Sequence, residues 1–306
     1  MINDCLGVRE GETVVVVCNP ATLGLGERLR GEAGRAGAEG LLAMMAERGA
    51  DGTEPPEPIA GAMAAADVVL APTVQSLSHT AARRAASERG ARIATLPGAT
   101  EEMLARVMSA DMDGLRRKGE AVAKVLTEGA EAHLTCPNGS DLRLGLEGRT
   151  GLPDAGDLRE RGAFGNLPCG EGYVSPLEGT ADGALVVDGT ISGMGRVEDT
   201  VTLTVAGGHL TGATGAMGQR LIELLRGAGH EGTNVAELGI GTNEQAILTG
   251  NLLEDEKILG TAHIAFGANA SMGGTVQVPI HIDCVVTKPD VTVDGEPLVR
   301  AGELLV

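Results

Sequence analysis

The first third of the chain alternates short apolar runs with helical stretches, and this alternation constrains the fold more than any other feature of the sequence. Four runs have the length and apolar character of strands, and the first of them is rich in β-branched Val: TVVVVC (13–18), LLAMMA (41–46), DVVLAP (67–72) and ARIATLP (91–97). Strands that alternate with helices form a parallel sheet with helices packed on its faces. We therefore predict an α/β domain with a Rossmann-like parallel sheet over residues 1–110.

The sequence changes in character after residue 110. A helix is predicted over about residues 113–126, where it would bridge the two parts of the chain. Most of the remainder reads as short strands and turns, with one long helix predicted over residues 216–226. Asp294-Gly295 stands between two short apolar runs, which is typical of a β-hairpin turn. We predict that residues 111–306 form an α+β domain in which strands dominate.

The composition limits the classes of partner. The formal net charge is −18, and no basic cluster is long enough to follow a phosphate backbone, so we expect neither nucleic acid nor an anionic membrane as a partner. No apolar run approaches the roughly 20 residues of a membrane span, and the N-terminal residues lack the apolar core of a signal peptide. The five Cys have no paired spacing. These features favour a reduced, cytoplasmic protein.

The stretch from Glu237 to Asp283 holds the strongest candidates for chemistry. His281 and Asp283 are two apart in VPIHIDCVV, a run with strand character, so both side chains point to one face of the strand. An imidazole and a carboxylate side by side can share a divalent cation, whereas an unpaired buried charge is costly. A hydrogen-bonded pair in the core is the alternative interpretation of these two residues.

Glu171 is a further candidate, in GNLPCGEGYVSP, because glycines on both sides leave its carboxylate accessible to a ligand. With Glu237, His263, His281 and Asp283 it makes three carboxylates and two imidazoles. This set of ligands suits Zn, Co, Mn or Fe(II) and differs from the thiolate ligands of a structural zinc site. Three carboxylates exceed the needs of one cation and complement two cations that share a bridging carboxylate and an activated water. For Glu171, Glu237 or His263 considered alone, the more common interpretation is an exposed Glu or a hydrogen-bonded His in the core.

These motifs resemble the aminopeptidase T and aminopeptidase S family of metallopeptidases. The resemblance extends along nearly the whole chain and includes NLPCGEGYVSP, AELGIGTN, DEKILGTAHIAFG and PIHIDCVV, in this order. It implies an N-terminal α/β domain, a C-terminal metal-binding domain, two divalent ions per chain and a homodimer or higher homo-oligomer. The positions that match family metal ligands are Glu171, Glu237 as the bridging carboxylate, His263, His281 and Asp283.

One departure from the family concerns a tyrosine. The peptidases carry a Tyr a few residues after the His that matches His263, whereas this chain has IAFGANASMGG, with Ala270 nearest the expected place. The only tyrosine of the chain is Tyr173, two residues after Glu171. The absence of this Tyr removes a metal ligand or an oxyanion donor from the site. It therefore argues against a peptide substrate more than against metal binding.

A second branch of the same superfamily, the 2,5-dihydroxypyridine dioxygenases, resembles this fold but cleaves rings. It holds one Fe(II) with two His and one Asp. That branch has a His where this chain has Glu237, and residues matching Glu171 and His263 do not look retained there. The carboxylate-rich set of this chain favours hydrolysis over oxygen chemistry.

We therefore expect a metallo-aminopeptidase that acts on short peptides or related small amides. A metal-activated water would attack the amide of the N-terminal residue, and either Glu171 or Glu237 would transfer the proton to the leaving amine. The alternatives are a mononuclear Fe(II) ring-cleaving dioxygenase and a non-catalytic small-molecule binding protein on the same fold.

Overall fold

A computed structural model describes residues 1–306. The helices are α1 (Leu23–Arg35), α2 (Glu57–Ala65), α3 (Ala81–Glu88), α4 (Glu101–Val107), α5 (Met112–Glu128), α6 (Gly215–Gly227) and α7 (Leu252–Asp255). The first ten strands are β1 (Thr13–Cys18), β2 (Glu39–Met44), β3 (Val68–Ala71), β4 (Arg92–Thr95), β5 (Glu131–Thr135), β6 (Asp141–Gly145), β7 (Leu152–Asp154), β8 (Phe164–Asn166), β9 (Glu171–Val174) and β10 (Asp182–Val187). The others are β11 (Thr190–Ile191), β12 (Gly195–Arg196), β13 (Val201–Ala206), β14 (His209–Ala213), β15 (Val235–Gly241), β16 (Ala262–Gly267), β17 (His281–Val286), β18 (Asp290–Val293), β19 (Glu296–Arg300) and β20 (Glu303–Leu304).

The chain divides into two compact units. One consists of Met1–Met112 with Gly156–Cys169, and the other of Asp113–Ala155 with Gly170–Val306. The segment 156–169 thus belongs to the first unit although it follows α5 in the chain. The division at residue 110 remains a proposal about which parts fold on their own, because compactness alone does not test independent folding.

The first unit contains a five-stranded sheet in the order β2-β1-β3-β4-β8, with every neighbouring pair parallel. β3 and β4 are buried along their whole length, and the sequence of β3, VVLA, is accordingly a continuous apolar run and not an alternating one. The side chains of Thr80 and Thr100 accept hydrogen bonds from backbone N–H groups in the first turns of α3 and α4. The α/β class and the parallel sheet predicted for the N-terminal part are confirmed.

The second unit contains two predominantly antiparallel sheets. Their strand orders are β14-β13-β10-β6-β5-β18-β19-β20 and β12-β11-β17-β16-β15-β9-β7. Side chains from both sheets and from α5 and α6 share one apolar core, in which Phe266 is the one aromatic residue. The predicted hairpin joins β18 and β19, with Asp294 and Gly295 at φ of 51° and 84°. The strand-rich class predicted for this part is confirmed, and no helix of the chain is long and apolar enough to cross a membrane.

Candidate metal centre

The candidate centre lies on the seven-stranded sheet, on the face turned away from the apolar core. Leu238 on β15, Ile264 on β16 and Ile282 on β17 point into the core. Because successive side chains of a strand point to opposite faces, Glu237, His263 and Asp283 share the other face. The same alternation places His281 beside Asp283, which is the arrangement that their spacing of two predicts.

Small residues leave room above the middle strands. Ala265 stands between Glu237 and Asp283 in the register of the three strands. Gly239 pairs with His263, and a Cβ at residue 239 would lie 2.0 Å from Nε2 of that imidazole. The ring of His263 therefore lies against the backbone of β15, which only glycine permits. The sequence analysis missed Gly239, although a glycine inside a strand commonly marks such a close approach.

The structure brings all five predicted residues together. Nε2 of His263 lies 3.1 Å from Oε2 of Glu171 and 3.3 Å from Oε1 of Glu237. Nε2 of His281 lies 3.3 Å from Oε2 of Glu237 and 3.5 Å from Oδ1 of Asp283. The Glu237 carboxylate thus stands between the two imidazoles and presents one oxygen to each. The four other side chains are buried, while that of His281 is 27% exposed and marks the side open to solvent.

Three charged residues that the sequence analysis did not single out extend the cluster. The ammonium of Lys257 contacts Oε1 of Glu171 and lies 2.7 Å from Oε1 of Glu256 and 3.3 Å from Oδ2 of Asp154. Lys257 is 1% exposed. In the sequence, Lys257 follows three consecutive acidic residues, and successive charged residues normally lie at the surface. The sequence alone therefore had no signal to separate Lys257 from a solvated lysine.

Burial and charge pairing act in opposite directions on the acidic groups. Burial would raise the pKa of Glu171, but the Lys257 ammonium and the His263 imidazole lower it to about 2. Burial raises the pKa of Glu256 to about 8: the Lys257 ammonium opposes this effect, and the charges of Glu171 and Asp283 add to it. At neutral pH the Glu171 carboxyl is therefore ionised, whereas that of Glu256 is largely protonated.

Neighbouring carboxylates raise the pKa of both imidazoles, and Glu237 acts on both of them. Burial would lower the pKa of His263, but the hydrogen bonds and charges of Glu171 and Glu237 raise it well above its usual value. For His281, Asp283 and Glu237 likewise outweigh burial and raise the pKa well above its usual value. Without a cation, protonated imidazoles thus lie between ionised carboxylates. A divalent ion would displace these protons, which is the usual coupling between metal binding and proton release.

Three sets of three residues could each hold a divalent metal, since their ligand atoms lie within 4.8 Å of one another. They are Glu171–Glu237–His263, Glu237–His281–Asp283 and Glu256–His263–Asp283. In the second set, Nε2 of His281 lies 3.3 and 3.5 Å from the two carboxylate oxygens. Two ligand atoms at such separations, each about 2.1 Å from an ion, subtend roughly 100–115° at it. This angle fits tetrahedral coordination and, after a small movement, octahedral coordination.

Hydrogen bonding also favours the second set. Nδ1 of His281 lies 2.8 Å from the carbonyl oxygen of Ala268, which holds the proton on Nδ1 and directs Nε2 to the carboxylates. Nδ1 of His263 is buried without a hydrogen-bond partner. The Glu237–His281–Asp283 set is therefore the best supported by its surroundings.

Tyr173 lies on the same face of the sheet. It is opposite Gly239 across β9 and β15, and burial together with the charges of Glu237, Asp154 and Glu171 raises the pKa of its phenol. The phenol is therefore a neutral hydrogen-bond donor close to the centre. Ala270, by contrast, lies in a short 3₁₀ turn, Ala270–Met272, and has no hydroxyl to offer.

These features define a class: a protein with a parallel α/β unit and a strand-rich unit that carries a buried carboxylate and imidazole centre suited to a divalent metal. A family model described as NicX, 2,5-dihydroxypyridine 5,6-dioxygenase, matches residues 30–306, and the chain belongs to this family. The 2,5-dihydroxypyridine 5,6-dioxygenase of Pseudomonas putida KT2440 is 25% identical to it over 258 residues, which are 80% of this chain and 72% of the relative.

Two solved structures share the fold. That of 2,5-dihydroxypyridine dioxygenase from Pseudomonas putida KT2440 gives a TM-score of 0.82 at 21% identity and covers 98% of this chain and 93% of its own. Wild-type AmpT from Thermus thermophilus gives a TM-score of 0.73 at 18% identity, with coverage of 100% and 97%. At these identities, both likenesses concern the fold alone.

The prediction of a metallo-aminopeptidase is wrong. The family and the curated relative indicate a dioxygenase, so the assignments as hydrolase, aminopeptidase and protease do not hold. The resemblance to aminopeptidase T is retained at the level of the fold. The physical reason for the error is that carboxylates and imidazoles bind the divalent metals of hydrolytic and of oxidative enzymes alike, so ligand types do not determine the reaction.

Proposed function

We propose that this chain is a metal-dependent dioxygenase that cleaves a small hydroxylated aromatic ring and holds its ion with Glu237, His281 and Asp283. One observation carries the proposal: these three side chains converge on one face of a sheet in a chain that belongs to a dioxygenase family. The ordered imidazole of His281 and its exposed side support the choice of this set.

The types of ligand indicate which metal ion the site favours. Fe(II) is the ion we expect, and when bound it supplies the redox chemistry for adding dioxygen to the ring. Glu237 stands where the dioxygenases are expected to have a His, so this chain offers one imidazole and two carboxylates. The extra carboxylate makes the set harder and more negative, which favours Fe(II) and Mn(II) over softer ions.

Two neighbouring side chains would orient the ring. The imidazole of His263 and the neutral phenol of Tyr173 each carry a hydrogen-bond donor on the sheet face that holds Glu237. Ring hydroxyl or hydroxylate oxygens accept hydrogen bonds from such donors. We therefore expect a dihydroxylated six-membered aromatic or heteroaromatic ring as the substrate class. A homodimer or higher homo-oligomer remains our proposal for the assembly.

The proposal is tested by oxygen uptake. Protein purified without oxygen and loaded with Fe(II) or Mn(II) is mixed with 2,5-dihydroxypyridine and with benzene diols, and dissolved oxygen and ring absorbance are followed. His281→Ala and Asp283→Asn should lose the bound ion and at least 100-fold of the oxygen uptake. His133→Gln is the matched control, because His133 pairs with Asp141 on the other sheet. Metal-loaded protein that consumes no oxygen with any of these rings contradicts the proposal, as does full uptake by the two variants.

A further inference from the structure

Lys257 is a buried cation in the middle of an acidic cluster. It follows α7 and touches carboxylates from three places in the chain, namely Asp154 on β7, Glu171 on β9 and the adjacent Glu256. An ammonium this deeply buried is tolerated only where carboxylates compensate its charge. Lys257 is thus held in place by the residues that it neutralises.

The three sets of metal ligands differ in their relation to this ammonium. Glu171 belongs to the first set and Glu256 to the third, and Lys257 contacts both of them. The set Glu237–His281–Asp283 contains no residue that Lys257 is found to contact. The ammonium contacts Oε1 of Glu171, whereas Oε2 faces His263. A divalent ion on either oxygen of such a carboxylate would still lie within a few Å of the ammonium charge, and this repulsion weakens the carboxylate as a ligand.

We propose that the Lys257 ammonium takes the place of a second metal ion and limits the chain to one divalent ion, bound by Glu237, His281 and Asp283. The proposal rests on the function proposed above for those three residues. It assigns a separate role to Glu171, which with Asp154 surrounds the charge of Lys257, and to Glu256, which accepts a hydrogen bond from it. The one-ion state then follows from a lysine of this chain and not from a shortage of carboxylates.

The test counts bound metal and needs no turnover. The wild-type protein and its variants are titrated with Mn(II) by calorimetry, bound metal is quantified after gel filtration, and the electron paramagnetic resonance of the complex is recorded. Wild type should bind one Mn(II) per chain with an isolated-ion spectrum. Lys257→Met should bind two, with the spectrum of a spin-coupled pair. Lys257→Arg, which keeps the charge, should remain at one.

The controls separate this proposal from the proposed function. Lys118→Met removes an exposed lysine that pairs with Glu244 at 2.7 Å, and should leave the count at one. If Lys257→Met does not fold, Lys257→Gln, which removes the charge but keeps a hydrogen-bond donor for the neighbouring carboxyl groups, should also bind two ions. Two ions in the wild type, or one ion in every folded Lys257 variant, overturn the role of Lys257. No bound ion in the wild type overturns the proposed metal site itself.

Discussion

Replacing Gly239 with alanine tests how His263 is held in the cluster. A Cβ at residue 239 lies 2.0 Å from Nε2 and 2.2 Å from Cε1 of the His263 ring. Non-bonded atoms do not approach so closely, so either the ring or strand β15 must move. His263 is 1% exposed and has little free space to enter.

The size of the effect follows from two contributions. Overpacking a buried site costs about 1–3 kcal/mol. Displacing the ring also weakens its contacts with Glu171 and Glu237, and hydrogen bonds to charged groups contribute roughly 1.5–3 kcal/mol each. Because water would compensate part of this loss, we expect Gly239→Ala to lower the free energy of unfolding by about 3–5 kcal/mol. For a unit of this size, that corresponds to a decrease of roughly 6–20 °C in Tm.

Calorimetry of the wild type and the variant measures this difference, and Mn(II) titration measures the accompanying loss of metal affinity. Gly227→Ala is the matched control, because Gly227 ends α6 in the same unit and a Cβ there meets nothing within 4 Å. The control should stay within about 1 kcal/mol of the wild type. An unchanged Tm and unchanged affinity in Gly239→Ala would refute the close packing of His263 on β15.

Three further predictions concern pH and backbone strain. Hydrogen bonds from Thr275 and Asn269 and the charge of Arg149 outweigh burial and lower the pKa of Glu178 to about 2. Glu178→Gln should therefore lower the free energy of unfolding by about 2 kcal/mol above pH 4.5. Denaturant unfolding should show that this difference between wild type and variant disappears as the pH falls toward 2. Mn(II) affinity should rise from pH 6 to pH 8, because the raised pKa of His281 lets protons compete at low pH. Ala301→Gly should raise the free energy of unfolding by up to about 1 kcal/mol, because Ala301 has a φ of 49°; an unchanged or lower value would contradict strain there.

Local sequence patterns were sufficient for the fold class and for several of the helices and strands. The run TVVVVC forms β1 over the residues expected, and α5 and α6 span the predicted helices. These signals are local because a buried parallel strand needs a continuous apolar run and a helix needs its own periodicity. Neither requirement depends on which other segment lies alongside.

The residues of the centre did not determine which class of reaction the protein catalyses. The five ligand candidates were found from their types and from the spacing of His281 and Asp283. The same residue types serve hydrolytic and oxidative metals, so the carboxylate-rich set led to the wrong enzyme class. Membership of the family corrected that assignment.

The sequence by itself determined which side chains share a strand face, since a period of two decides this within each strand. Only the tertiary structure decided which strands lie side by side. The pairing of Gly241 with Glu171 brings Glu171 to β15, and the burial of Lys257 among Asp154, Glu171 and Glu256 joins parts of the chain that are distant in sequence. Such contacts depend on the closure of long loops and on packing of the whole unit, which no local pattern encodes.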